Sequence, residues 1–231
     1  MGKLPPYLSL PERLWHYGFR LLCGLIFFFL IFPLVVVIPL SFNAVPFFTF
    51  TKEMLALDPA GYSLKWYEDF FTNLNWQGAV QNSVMIAFFA TLLSTTLGTL
   101  AALGLSRPTM PAKTLVMSIL ISPMIVPLII SAAGMFFFYS RVGLQGTHIG
   151  VILAHAALGT PFVVITVTAT LVGFDNSLIR AAASLGASPT TTFFKVIVPL
   201  ILPGVISGAL FAFITSFDEV VVVLFVGSFK Q

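Results

Sequence analysis

Long uncharged stretches set the pattern of this chain. No Asp, Glu, Lys or Arg falls between Arg20 and Lys52, Asp69 and Arg107, Lys113 and Arg141, or Arg141 and Asp175, and a further uncharged run goes from Val196 to Phe217. A bilayer core of about 30 Å is crossed by roughly 20 helical residues, so each run holds one span. The pattern predicts helices near Leu21–Leu40, Ala79–Leu105, Leu115–Tyr139, Ile149–Gly173 and Leu200–Phe217. The runs are continuous rather than alternating, which argues against a β-barrel. The fold class is all-α, a polytopic transmembrane helix bundle with five spans, read as one integral membrane domain over residues 1–231. A cleaved leader does not explain the first run. Its 22 uncharged residues, Leu21–Phe42, exceed the roughly 7–15 of a signal-peptide core, and no A-x-A site follows.

Composition agrees with a bilayer solvent. Charged residues are 8% of the 231, against roughly 25% in soluble domains. Too few polar side chains exist to clothe a water-facing surface. The net charge of +3 does not indicate nucleic acid, because basic residues stand singly between apolar stretches. Their distribution does indicate orientation. The N-terminal segment (1–20) and the second and fourth loops hold Lys3, Arg13, Arg20, Arg107, Lys113, Arg180 and Lys195, while the alternate side holds Lys52, Lys65, Arg141 and Lys230. Seven against four places the N-terminus and the 174–199 loop in the cytoplasm and the 41–78 loop outside.

Pro33, Pro39, Pro123, Pro127 and Pro161 lie within the spans. Neighbouring helices can satisfy the carbonyls they free, and two readings stand: kinks for a moving bundle, or the ordinary abundance of proline in membrane helices. Small residues recur at helical spacing at Ser83, Ala87, Thr91, Ser94, Gly98 and Ala102, and again at Gly204, Gly208, Ala212 and Ser216. Such stripes let backbones approach closely, within the bundle or against a second subunit.

Enzymatic chemistry finds no footing. No phosphate-binding G-x-x-x-x-G-K-[ST] loop occurs, and at the one Lys followed by Ser or Thr, Lys113-Thr114, Ala112 stands where glycine is required. His16, His148 and His155 share no metal-ligand spacing with one another or with Cys23, which fits a small apolar filler. No metal or cofactor is expected on the chain.

The fourth loop is the most informative stretch. It reads Arg180-Ala181-Ala182-Ala183-Ser184-Leu185-Gly186-Ala187-Ser188-Pro189 and continues through Lys195 to Val196, Val198 and Pro199. This predicts a short Ala-rich helix, Gly186 as its C-cap, and a second amphipathic stretch before the last span. The residues resemble the cytoplasmic signature of inner-membrane permease subunits of binding-protein-dependent ABC importers: E-A-A, three residues, G, nine residues, I-x-L-P. Ala181-Ala182, Gly186, Val196, Val198 and Pro199 match, and Arg180 stands at the Glu position. The resemblance implies that Arg180–Ala187, with Pro199, couples to a separate ATPase. It further implies ATP and Mg on that ATPase dimer, a second permease subunit, an extracytoplasmic solute-binding protein, and a multi-pass place in the bacterial inner membrane.

Other segments resemble the polyamine (spermidine/putrescine) branch: Ser41-Phe42-Asn43, Trp66-Tyr67, Ala79 with Asn82-Ser83, His155 with Pro161-Phe162-Val163-Val164, Gly173-Phe174-Asp175, and Phe217-Asp218-Glu219-Val220-Val221-Val222. Related branches import amino-acid derivatives, opines or other small solutes. Type I permeases of this kind usually have six helices, whereas Val220–Phe229 supplies ten residues, too few to span, so the family's last helix is missing from this sequence. An ion-driven secondary transporter would predict charged or broken midplane sites and an inverted repeat, and neither is clear. A non-transporting scaffold is the third class.

Three residues are candidates for the translocation pathway. His155 sits midway in an apolar span, as an interhelical strut or a ligand contact. Asp218 and Glu219 directly end a span. Leu200–Phe217 is 18 residues, about 27 Å of helix, so the pair falls at the outer boundary. Glu219 extends the small-residue stripe three residues after Ser216, and Asp218 points about 100° away. The pair reads either as solvated charges marking a helix end or as groups that attract a cationic solute.

Overall fold

The computed structural model describes residues 9–107, 109–175 and 177–228. Lys3 and Lys230, counted for orientation, and Phe229 lie outside the described residues. Among the described residues the secondary structure is helical apart from one isolated bridge, Asn43 to Tyr62. The chain divides into two compact units, residues 1–77 and 78–231.

The first unit opens with α1 (Leu10–Leu40). It begins eleven residues before the expected span because a capping box nucleates it. The Ser9 backbone N–H and hydroxyl both donate to the Glu12 carboxylate, at 2.8 and 2.7 Å, and Pro11 supplies a preset φ in the first turn. The helix continues through Pro33 and Pro39. Its most apolar window is wholly unburied within the chain, with Phe29 and Leu34 at 75% and 67% exposure. An apolar helix bare on every side is suited to lipid or another subunit, not to water. After it come α2 (Lys52–Leu55), a 3₁₀ turn (Pro59–Gly61) and α3 (Lys65–Thr72).

The second unit contains α4 (Leu74–Leu105) from Gly78 onward, α5 (Lys113–Ile125), α6 (Leu128–Val142), α7 (His148–Val172), α8 (Ser177–Ser184), α9 (Pro189–Thr192), a π-helical turn (Phe193–Ile197), α10 (Val198–Phe217) and α11 (Val221–Val226). Its centre is α7, where Val151, Ala154, Val163, Val164 and Val167 are fully buried. Both small-residue stripes face this helix. A Cβ on Gly98 would lie 2.6 Å from the Val163 Cβ, one on Gly208 would lie 2.8 Å from the Val163 Cα, and one on Gly204 would collide with the Thr170 hydroxyl. Gly159 reciprocates, lying between Ser94 and Ala212. The Ser94 hydroxyl reaches across to the Ala156 carbonyl at 3.0 Å. Backbone proximity, with its dispersion contacts and interhelical hydrogen bonds, holds α4, α7 and α10 together. A second apolar cluster joins Ala132 and Tyr139 of α6 to Val222 and Val226 of α11 and to Val151 and Leu158.

Four helical runs are long and apolar enough to cross a membrane: Leu10–Leu40, Leu74–Leu105, His148–Val172 and Pro189–Phe217. Two expectations need correction. Leu115–Tyr139 is not one straight helix: α5 and α6 meet at a 102° bend and make a fifth span only as a broken pair. Pro127 cannot donate to the helical ladder and pushes Val126 to an extended conformation (φ −69°, ψ 134°). Nor does the last span start at Leu200. The stretch before it is already helical from Pro189, so the run has 29 residues, joined through the π turn.

Candidate functional site: docking loop and polar pocket

The loop between α7 and α9 is built by three local devices. Asp175 accepts from the Ser177 backbone N–H at 2.8 Å and from its hydroxyl at 2.6 Å, which fastens the start of α8. These bonds, led by the Ser177 hydroxyl, hold the Asp175 carboxyl below the usual carboxylate range, with a smaller contribution from the Arg180 charge. At the other end Gly186 takes φ +82°. Its N–H donates to the Ala183 carbonyl and the Ala187 N–H to the Ala182 carbonyl, both at 3.0 Å, a complete Schellman motif. Ser188 then caps α9, accepting from the Thr191 N–H at 3.2 Å. The expected short helix and glycine cap are therefore present, and the stretch that follows them is itself helical. Arg180, Ala181, Ala183, Ser184 and Leu185 are exposed, Ala182 and Ala187 are half-buried, and Pro199 lies exposed in the first turn of α10.

The pathway candidates separate. His155 is buried on α7, and its Nδ1 lies 2.9 Å from the Ser216 hydroxyl of α10. Its Nε2 has no hydrogen-bond partner among the described residues. His155 and Ser216 line a pocket of about 160 Å³ with Asn82 and Ser83 of α4, and with Glu219 between α10 and α11. Glu219 is half-buried, and its Oε1 accepts from the Val222 N–H at 2.9 Å. Asp218 caps α10 through its backbone, is exposed, and does not line the pocket. In the sequence Asn82 stands only in a family fingerprint, and Ser83 there and at the head of a small-residue stripe. Their share in the pocket depends on the closeness of α4 and α7, which helical spacing alone does not give.

In the first unit, two fingerprint segments distant in sequence interlock. The Trp66 indole donates to the Asn43 carbonyl at 2.8 Å. Ser41 donates to the Ile38 carbonyl, so the 2.6 Å contact between its hydroxyl and that of Tyr67 has Tyr67 as donor. Asn43, only 2% exposed, donates to the Phe47 and Thr49 carbonyls and accepts from the Val45 N–H. Lys65 stacks over Trp66, 4.6 Å from its ring centre. Buried amide bonding of this kind fixes a loop that has little apolar core of its own.

Long apolar helices, glycine-mediated packing and a half-buried polar pocket define a polytopic helical membrane protein. Its residues 94–230 match the family described as the binding-protein-dependent transport system inner membrane component, and the chain belongs to that family. It is 36% identical over 201 residues to the spermidine/putrescine transport system permease protein PotC of Haemophilus influenzae, covering 87% of this chain and 75% of that one. Identity to PotC of Escherichia coli K12 is 33%, covering 87% and 73%. Among solved structures it shares its fold with a bacterial ABC transporter involved in the import of the acidic polysaccharide alginate: TM-score 0.70, 19% identity, covering 92% of this chain and 74% of the other. The chain is thus an inner-membrane permease subunit of a binding-protein-dependent ABC importer.

Proposed function

We propose that this permease conducts a small polyamine of the spermidine/putrescine class, as one half of a pathway completed by a second permease subunit. An extracytoplasmic binding protein delivers the solute. ATP is hydrolysed on a separate ATPase dimer, which meets the 174–199 loop, and the N-terminus lies in the cytoplasm. One observation carries the substrate reading: the half-buried Glu219 carboxylate shares a small pocket with His155, Ser216 and Asn82. A carboxylate at a low-dielectric wall, ringed by hydrogen-bonding groups, suits a primary ammonium. The pocket accommodates the ammonium end of a chain rather than a whole polyamine, so solute would pass it end-on. Spermidine/putrescine relatives at 33–36% identity support the same class.

The test is ATP-dependent uptake by the complete complex in proteoliposomes, comparing labelled putrescine and spermidine with a neutral zwitterion and an anionic opine. Saturable uptake of the polyamines, competed by one another and not by the other solutes, is expected. Preferential uptake of the zwitterion or the opine would overturn the substrate reading and leave the family assignment intact.

A further inference from the structure

We propose that the cavity at the end of α1 holds an acyl chain of a zwitterionic phospholipid, with the lipid phosphate against Lys65.

The first unit encloses a cavity of about 740 Å³, within the range that takes a small ligand. Leu40 and Ser41, where α1 ends, form one side of it, and the rings of Phe47, Phe48, Trp66 and Phe70 form much of the rest. The most apolar window of α1 is wholly unburied, so α1 lies in the bilayer and its end brings the cavity to the membrane boundary. The form of α3 suits a helix lying in that boundary. At about 100° per residue, Trp66, Tyr67, Phe70 and Phe71 share an arc of about 140°, and Lys65, Glu68, Asp69 and Thr72 fill the opposite side. Phe47, Phe48 and Phe71 are 69–70% exposed, an apolar patch unsuited to water.

The cavity walls select an apolar guest. Each polar side chain of the lining is already engaged within the loop. Ser41 bonds the Ile38 carbonyl and Tyr67, Asn43 uses both ends of its amide, and Trp66 donates to the Asn43 carbonyl. A polar solute would give up hydrogen bonds to water there and gain few, whereas a hydrocarbon chain has none to lose. One cation reaches the wall. The Lys65 ammonium donates to the carbonyl of Ala44, which stands between the lining residues Asn43 and Val45, and it lies 4.6 Å from the ring centre of Trp66. An ammonium has three donors, so two remain for a phosphate at the mouth. Glu68 and Asp69, on the same side of α3, disfavour a headgroup of net negative charge and suit the cationic end of a zwitterionic one. An apolar chain, a phosphate and a cation, in that order outward from the cavity, make up a zwitterionic phospholipid.

The experiment uses the complete complex in nanodiscs of equal parts phosphatidylcholine, phosphatidylglycerol and a phosphate-free galactosyl diacylglycerol. Benzoylphenylalanine replaces Phe48 at the cavity or, as a measure of bulk lipid, Phe29 on α1. After illumination, mass spectrometry identifies what each position has captured. Position 48 should capture phosphatidylcholine at least about threefold over each of the other lipids, whereas position 29 should capture all three near their proportion in the bilayer. Lys65→Gln should remove the preference at position 48, and Lys65→Arg should retain it. Equal capture of the three lipids at position 48, or a preference unchanged by Lys65→Gln, would overturn the proposal. Capture of another polypeptide in place of lipid would also overturn it and make the cavity a subunit interface.

Discussion

His155 and Ser216 meet across the contact between α7 and α10, Nδ1 to Oγ 2.9 Å apart, although 61 residues separate them. The histidine is 2% exposed and the serine 5%, so the bond lies in the helix interface. A double-mutant cycle between His155→Ala and Ser216→Ala in the purified protein should return a coupling of about 0.6 kcal/mol, the average for interhelical bonds in membranes, and no more than about 1.7 kcal/mol. His155→Gln keeps a polar partner and should retain more thermal stability in detergent than His155→Leu. Equal stability with equal loss of uptake in both would mark His155 as a solute contact instead.

Glu219 and Asp218 should not be equivalent. Glu219→Gln removes charge yet retains an oxygen for the Val222 N–H, so α11 should persist while uptake of a dication falls by about tenfold or more. Asp218→Asn, exposed and off the pocket, should alter uptake by less than about twofold at physiological salt. Labelled putrescine flux in proteoliposomes, with helicity followed by circular dichroism, measures both. Equal effects from the two variants would return the pair to solvated helix-end charges.

Gly186 is required for its backbone rather than for space. No atom lies within 4 Å of a Cβ built there, but its φ is +82°. Gly186→Val should cost about 1–2 kcal/mol or more in local strain, unwinding the end of α8 and uncoupling ATP hydrolysis from uptake. The complex should still assemble in the membrane, because the bundle contacts of α7 and α10 are untouched. Wild-type uptake by an assembled Gly186→Val complex would contradict the coupling role.

Gly98 is required for space rather than for its backbone. An added Cβ would sit 2.6 Å from the Val163 side chain, so Gly98→Ala should destabilise the purified protein by about 1–3 kcal/mol. Gly134 on α6 has nothing within 4 Å of its position. Gly134→Ala should be neutral or stabilise by up to about 1 kcal/mol through helix propensity. Thermal melts of the two variants side by side give the comparison.

The sequence alone determined the solvent and the number of apolar runs, because a bilayer imposes length and hydropathy locally on each segment. It also determined the α8–Gly186–α9 punctuation, since caps and left-handed glycines act within a few residues. The N-terminal extension of α1 was equally local: Ser9 and Glu12 stand at capping-box spacing, a signal that the uncharged-run criterion overlooks. The bend at Val126–Pro127 lay in sequence view as a proline, but a proline marks a possible break and not its angle. Only the tertiary structure decided that both small-residue stripes face one helix. Only it set Glu219 in the pocket apart from Asp218, and joined Asn43 to Trp66. These relations are decided by which backbones approach one another, and that depends on side chains from several distant segments packing together at once.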